Sequence, residues 1–181
     1  MLMIARSAVI LIAVMLATLT AAFAFADEDY ESLVRKYIAT LDRDRSAEVS
    51  FYTDQTRFRD PTSDLFGPAW DITGGEAIVS FFEQAAKESG TLTVDYRVTN
   101  ILVEQSRVVA NITSTVTSCG VGLGFPEKVF SGDIELVMVL RFEDQKVLER
   151  TDYVGYSAAF AKLEQITKQL ADETDDPRCG R

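Results

Sequence analysis

RFRDPTSDLFGPAWDITGGEAIVSFF, residues 57–82, is the stretch on which the reading of this chain turns. It opens with Phe58 and Asp60 alternating with arginines, as in a short strand. Pro61 ends that strand, because proline cannot donate to a ladder and pushes its predecessor toward extended conformations. A loop rich in Asp, Gly and Pro follows and carries the only tryptophan, Trp70. Gly74-Gly75 then releases the chain into a helix on which Ile78, Phe81, Phe82 and Ala85 share one face. A carboxylate at a strand end, an aromatic loop above and an apolar helix beneath suit a pocket. Its occupant would be a small apolar molecule held beside an acid or base.

Toward the N-terminus, residues 1–26 read as a secretory signal peptide. Arg6 is a minimal basic region, Ala8 to Leu19 is almost wholly apolar, and Ala24-Phe25-Ala26 offers a small-residue cleavage site. The apolar run is short for a membrane span, although an uncleaved anchor helix is the alternative. The expected mature protein starts at Asp27 and is secreted or periplasmic, with no membrane contact after cleavage. Losing Arg6 changes the net charge from −10 to −11. An acidic domain with no lysine–arginine cluster repels phosphate backbones, so nucleic acid is not an expected partner.

From residue 29 on, Tyr30, Leu33, Val34, Tyr37, Ile38 and Leu41 fall at the spacing of an amphipathic helix. Ser46 is placed to cap a short second helix carrying Val49, Phe51 and Tyr52. The helix from Gly75 is the third. Beyond Gly90 the pattern switches to period two, with strands around Leu92–Val98, Val108–Ser114, Val129–Phe142 and Val147–Tyr156. Turns at Gln105-Ser106 and Glu143–Lys146 and a glycine-rich bend at 119–128 separate them. A last helix uses Phe160, Leu163, Ile166 and Leu170, and residues 173–181 form a polar tail expected to lack order. Helices first and a meander afterwards predict one α+β domain over residues 27–172.

The residue inventory removes several chemistries. There is no histidine, which excludes histidine-based triads, and no cysteine pair at ligand spacing. No metal or organic cofactor is implied. Cys119 and Cys179 either bridge the tail to the sheet or remain two thiols.

The strand ending in Asp60-Pro61, the GGEAIVSFF helix start and the RTDYVGY strand together resemble the nuclear transport factor 2-like superfamily, which includes SnoaL-like proteins, ketosteroid isomerases and limonene epoxide hydrolases. The resemblance implies a cone-shaped, strongly bent antiparallel sheet with three N-terminal helices on its concave face, and a homodimer. LVRKYIATL and RFRDPTSD are similar to ketosteroid isomerase. That resemblance implies Tyr37 as oxyanion-hole donor and Asp60 as proton shuttle. Met138 stands where that family keeps a second donor, an aspartic acid. Methionine has no proton to give, and losing one such donor costs about 10²–10³ in rate. The epoxide hydrolase resemblance puts a catalytic aspartate at Asp152, but Ile112 and Ser114 stand where its arginine and second aspartate are expected.

Residue by residue, Asp60 is either the proton carrier or a cap for the turn through Pro61. Tyr37 is either a ligand contact or a core tyrosine. Arg150 and Asp152 share a face with Leu148, Val154 and Tyr156, and form a buried pair or a polar anchor. Trp70, Phe58, Phe82 and Met138 are expected in the pocket wall. The leading expectation is an exported protein binding a small, mostly apolar molecule. The alternatives are an acid–base isomerase acting through Asp60, and a structural or dimerisation module with a filled pocket.

Overall fold

The computed structural model describes residues 30–41, 45–171 and 173–179, so the segment read as a signal peptide lies outside the described residues. Helix α1 (residues 30–41) buries Val34, Tyr37, Ile38 and Leu41, the stripe expected from their spacing. Helix α2 (Arg45–Glu48) is a single turn that tightens into a 3-10 turn at Val49–Phe51. Ser46 lies inside that helix, where a capping role was expected.

The sheet strands are β1 (Arg57–Asp60), β2 (Trp70–Thr73), β3 (Thr91–Glu104), β4 (Arg107–Gly120), β5 (Phe125–Glu143) and β6 (Lys146–Val154). They form one curled, unclosed sheet in the order β2-β1-β6-β5-β4-β3. Helix α3 (Gly75–Glu88) follows β2, and α4 (Tyr156–Leu170) follows β6.

Two features differ from the sequence expectation. Trp70 is not in a loop: it opens β2, opposite Asp60, and Ile72 lies opposite Phe58. The Asp-Pro-Gly content on either side hid a four-residue strand whose Trp70 and Ile72 face inward. The sheet is also not antiparallel throughout, since β1 runs parallel to β6, with Phe58 beside Arg150. This pairing ties the middle of the chain to its last strand.

The turns carry the residues that their geometry asks for. Asp144 and Gln145 both take positive φ, 48° and 63°, as a two-residue hairpin with matching twist requires. Gly75 starts α3 hard against Tyr52: a Cβ there would lie 2.5 Å from the Tyr52 Cβ. The third helix can therefore approach the rest of the fold only with glycine at that position.

The core lies between α1, α3 and the concave face of the sheet. Ile78, Val108, Ala110, Ile112, Met138, Leu140 and Val147 are fully buried there. Among the described residues no helix is long and apolar enough to cross a membrane.

Cys119 and Cys179 form a disulfide, with Cα atoms 5.8 Å apart. The Asp176 backbone N–H donates to the Glu127 carbonyl at 2.8 Å, laying the tail along β5. Residues 173–179, expected to lack order, are thus held on the sheet, because a covalent bond replaces the hydrophobic burial their composition cannot supply. The bridge closes a loop of 60 residues, for which chain entropy gives about 4 kcal/mol. Cys179→Ser should therefore lower the unfolding free energy by up to ~4 kcal/mol in denaturant titrations. Adding reductant should destabilise the unmodified protein equally and leave the variant unchanged.

Candidate ligand-binding site

The curl of the sheet leaves a cavity of about 290 Å³ between its concave face and α3. Phe82, Ala85 and Ala86 of α3 face Val94, Val116, Ile134, Leu136 and Val154 of the strands, and Trp70 and Phe58 close one side. Against this apolar wall stand Asp60, Arg150 and Asp152, with Arg45, Tyr96 and Tyr156 around them. Period-two alternation explains the convergence, since Arg150, Asp152 and Val154 fall on one face of β6 and Phe58 and Asp60 on one face of β1.

Arg150 is the hub, only 2% exposed. Its Nε and Nη2 grip Asp152 in a bidentate pair at 3.0 and 2.6 Å. Its Nη1 reaches the other way, donating to the Tyr37 hydroxyl at 3.0 Å and to Glu48 Oε1 at 3.2 Å. Tyr37 and Tyr52 share a hydroxyl–hydroxyl hydrogen bond of 2.6 Å, and the Tyr52 hydroxyl donates to Glu48 Oε1. The guanidinium also lies 5.0 Å from the Phe82 ring centre and 5.3 Å from that of Phe58. Among the described residues Glu48 Oε2 has no hydrogen-bond partner, so Arg150 and Tyr52 carry all of its compensation.

Electrostatics follow from burial. Burial works against the Arg150 charge, and Asp152, Tyr37 and Tyr52 outweigh it, holding its pKa well above the usual value. Burial pushes the Tyr37, Tyr52 and Tyr96 hydroxyls upward, with Arg150 opposing in each case. Tyr156 is raised by burial and by the hydrogen bond that it gives to Asp60. All four therefore stay neutral hydroxyls at ordinary pH.

Asp60 has the capping role expected of it and also faces the cavity. It lines the cavity and caps the 3-10 turn Pro61–Phe66 by accepting from the Thr62 N–H at 2.9 Å. The Thr62 hydroxyl donates to the same oxygen, and the Tyr156 hydroxyl donates to Oδ2 at 2.7 Å.

Six expected wall residues meet at the cavity: Asp60, Asp152, Arg150, Trp70, Phe58 and Phe82. Tyr37 and Met138 are not among its lining. Tyr37 stands behind the wall with its hydroxyl engaged by Arg150 and Tyr52, and Met138 is core, paired across strands with Asp152. A tyrosine on a helix face cannot reveal from sequence whether it ends at the cavity or one layer deeper. Sequence reasoning missed Glu48 and Tyr52, and it placed Tyr156 on the face of Arg150 and Asp152 without giving it a role. The i,i+4 spacing of Glu48 and Tyr52 was a usable signal, since an inward arginine with five donors needs more acceptors than Asp152 alone. Among the described residues no group of three or more His, Cys, Asp or Glu is arranged to hold a metal ion.

The sequence matches the family model of the SnoaL-like domain over residues 34–150. In structure the chain is similar to a protein from Shewanella putrefaciens CN-32 assigned to the SnoaL-like polyketide cyclases. The TM-score is 0.67 at 25% identity, over 76% of this chain and 97% of that one. A second protein so assigned, from Shewanella denitrificans OS-217, gives 0.66 at 22% identity over 75% and 97%. AclR from Streptomyces galilaeus, assigned as a hydroxylase, gives 0.62 at 21% identity over 77% and 98%. Identities below one quarter speak for the fold alone. No curated protein matches the sequence.

Removing the hub should be costly. Arg150→Met leaves Glu48 and Asp152 buried without their countercharge, and urea unfolding should show a loss of about 3–5 kcal/mol. The raised tyrosines set an alkaline limit. Their folded pKa values exceed the unfolded value of about 10, so their contribution is complete below about pH 10 and lost as pH rises further. Stability measured against pH should fall above pH ~10, and phenolate absorbance of these four tyrosines should appear only with unfolding.

Proposed function

The chain belongs to the SnoaL-like domain family, and from that premise we propose that it is an exported protein binding a small, mostly apolar molecule in the conical cavity. The observation that carries this reading is the convergence of Asp60, Arg150 and Asp152 on a wall otherwise aromatic and aliphatic. Such a site holds the body of a ligand by burial and fixes its orientation with a few polar groups. Export rests on the apolar, A-x-A-terminated leader of residues 1–26.

An acid–base version of the same site would use Asp60 as proton shuttle on a carbonyl compound, in keeping with the polyketide cyclase assignment of the Shewanella proteins. It has weaker support. Both Asp60 oxygens already accept hydrogen bonds, and the Tyr37 hydroxyl is engaged behind the wall by Tyr52 and Arg150. The filled-pocket alternative finds no support in a cavity of about 290 Å³.

Trp70 is the only tryptophan and lines the cavity, so its fluorescence reports occupancy directly. Titration with 1-tetralone or 1-tetralol should give a saturable change, weakened at least tenfold by Ala86→Phe. Equal titrations in both proteins would sink the reading. Deuterium exchange at the α-carbon of bound 1-tetralone separates the versions: exchange abolished by Asp60→Asn would establish acid–base chemistry, and background exchange in both proteins would leave binding alone.

A further inference from the structure

A second chamber, of about 550 Å³, lies between the concave face of the sheet and α4. Val116, Leu123, Phe130 and Ile134 form its floor, and Phe160, Leu163 and Ile166 of α4 form its roof. Ser89, Thr91, Val116 and Ile134 line both this chamber and the cavity at Arg150, so the two are neighbours that share a wall. The roof, α4, begins at Tyr156, beyond the segment 34–150 that the family model matches. Its far end is fastened by the buried Leu170 and by the Cys119–Cys179 bridge that follows. At its near end Phe66 and Phe160 remain 53% and 44% exposed, stacked edge-to-face with centroids 5.7 Å apart.

The inner cavity alone is at the lower limit for a drug-sized ligand, whereas the two together accommodate an elongated one. Charge decides which end enters first. Arg150 is already paired with both Asp152 and Glu48, and Asp60 adds a further carboxylate to the wall. Arg45, the other cation of the lining, lies over the Phe82 ring at 4.9 Å. With Glu48, Asp60 and Asp152 set against Arg150 and Arg45, carboxylates outnumber guanidinium groups at the polar end of the cavity. A hydroxyl donates to such acceptors without burying a new charge, whereas an anionic head would bury one beside like charges.

We propose that the α4 chamber is a subsite for the apolar tail of an elongated ligand whose hydroxyl end sits among Asp60, Arg150 and Asp152. This rests on the small-molecule reading above and assigns its ligand class: a long, uncharged alcohol in preference to a fatty acid.

The experiment is a chain-length series of 1-hexanol, 1-octanol and 1-decanol, with octanoate and decanoate beside them and 1-tetralol as the compact control, followed by Trp70 fluorescence or calorimetry on the purified protein. Affinity should rise about fourfold for each methylene that enters the outer chamber. Each carboxylate should bind at least tenfold more weakly than the alcohol of equal length. Leu163→Trp, which fills the chamber from a half-buried position, should flatten the alcohol series while leaving 1-tetralol affinity unchanged. A flat series in the unmodified protein with 1-tetralol still bound would overturn the tail subsite and leave the inner site standing. Equal binding of acids and alcohols would overturn the head-group assignment. No binding of 1-tetralol or of any alcohol would overturn the small-molecule reading itself.

Discussion

One buried guanidinium holds this molecule in register. Arg150 projects from β6 into the core, and a charge so placed is tolerated only if its donors find acceptors. Asp152 satisfies one side of it from the same strand; the other side is satisfied only if α1 and α2 come close enough to bring Tyr37 and Glu48 within reach. Apolar packing alone would let the helices slide on the sheet at modest cost. The hydrogen bonds from Arg150 do not, because they have a direction as well as a distance. Tyr52 reinforces the arrangement by bonding Tyr37 and Glu48 at once.

The same arrangement divides the polar interior into two layers. Behind the wall, Tyr37, Tyr52 and Glu48 Oε1 bond one another and Arg150. In front, Asp60, Asp152 and Arg150 keep faces toward the cavity. The layering lets a strongly polar network coexist with an apolar pocket, since the back layer satisfies Arg150 and spares the front layer from doing so alone. Tyr156 joins the front layer to α4 by donating to Asp60, so the helix that roofs the outer chamber starts at a residue of the inner one.

Much of this was legible in the sequence. The helical stripe of Val34, Tyr37, Ile38 and Leu41, the alternation in the long strands and the inward face of Arg150 and Asp152 follow from periodicity, which depends only on local geometry. The resemblance to the nuclear transport factor 2-like superfamily supplied the curled sheet. What stayed hidden was set by contacts between distant segments. Nothing near Trp70 announces that four residues amid prolines and glycines pair with β1. The parallel partnership of β1 and β6 is likewise invisible to local pattern. Depth was lost for the same reason: Tyr37 and Asp60 both read as inward, and only the packed structure separates the residue behind the wall from the one in it.

That parallel pair also orders events in time. The Thr56 hydroxyl meets the Val147 carbonyl across 91 residues, and Tyr156 meets Asp60 across 96. Loop closure over such spans is disfavoured until the intervening hairpins of β3, β4 and β5 have shortened the distance. The helices and the meander can take shape as the chain emerges, each from neighbours in sequence. The polar floor of the cavity cannot, because its halves arrive on the second quarter of the chain and on its last strand. A chain interrupted anywhere before β6 would hold a pocket wall with no Arg150 or Asp152 in it, and Glu48 would wait without its cation. The polar floor of the site therefore waits for β6, and a chain that carries it has been made at least through Asp152.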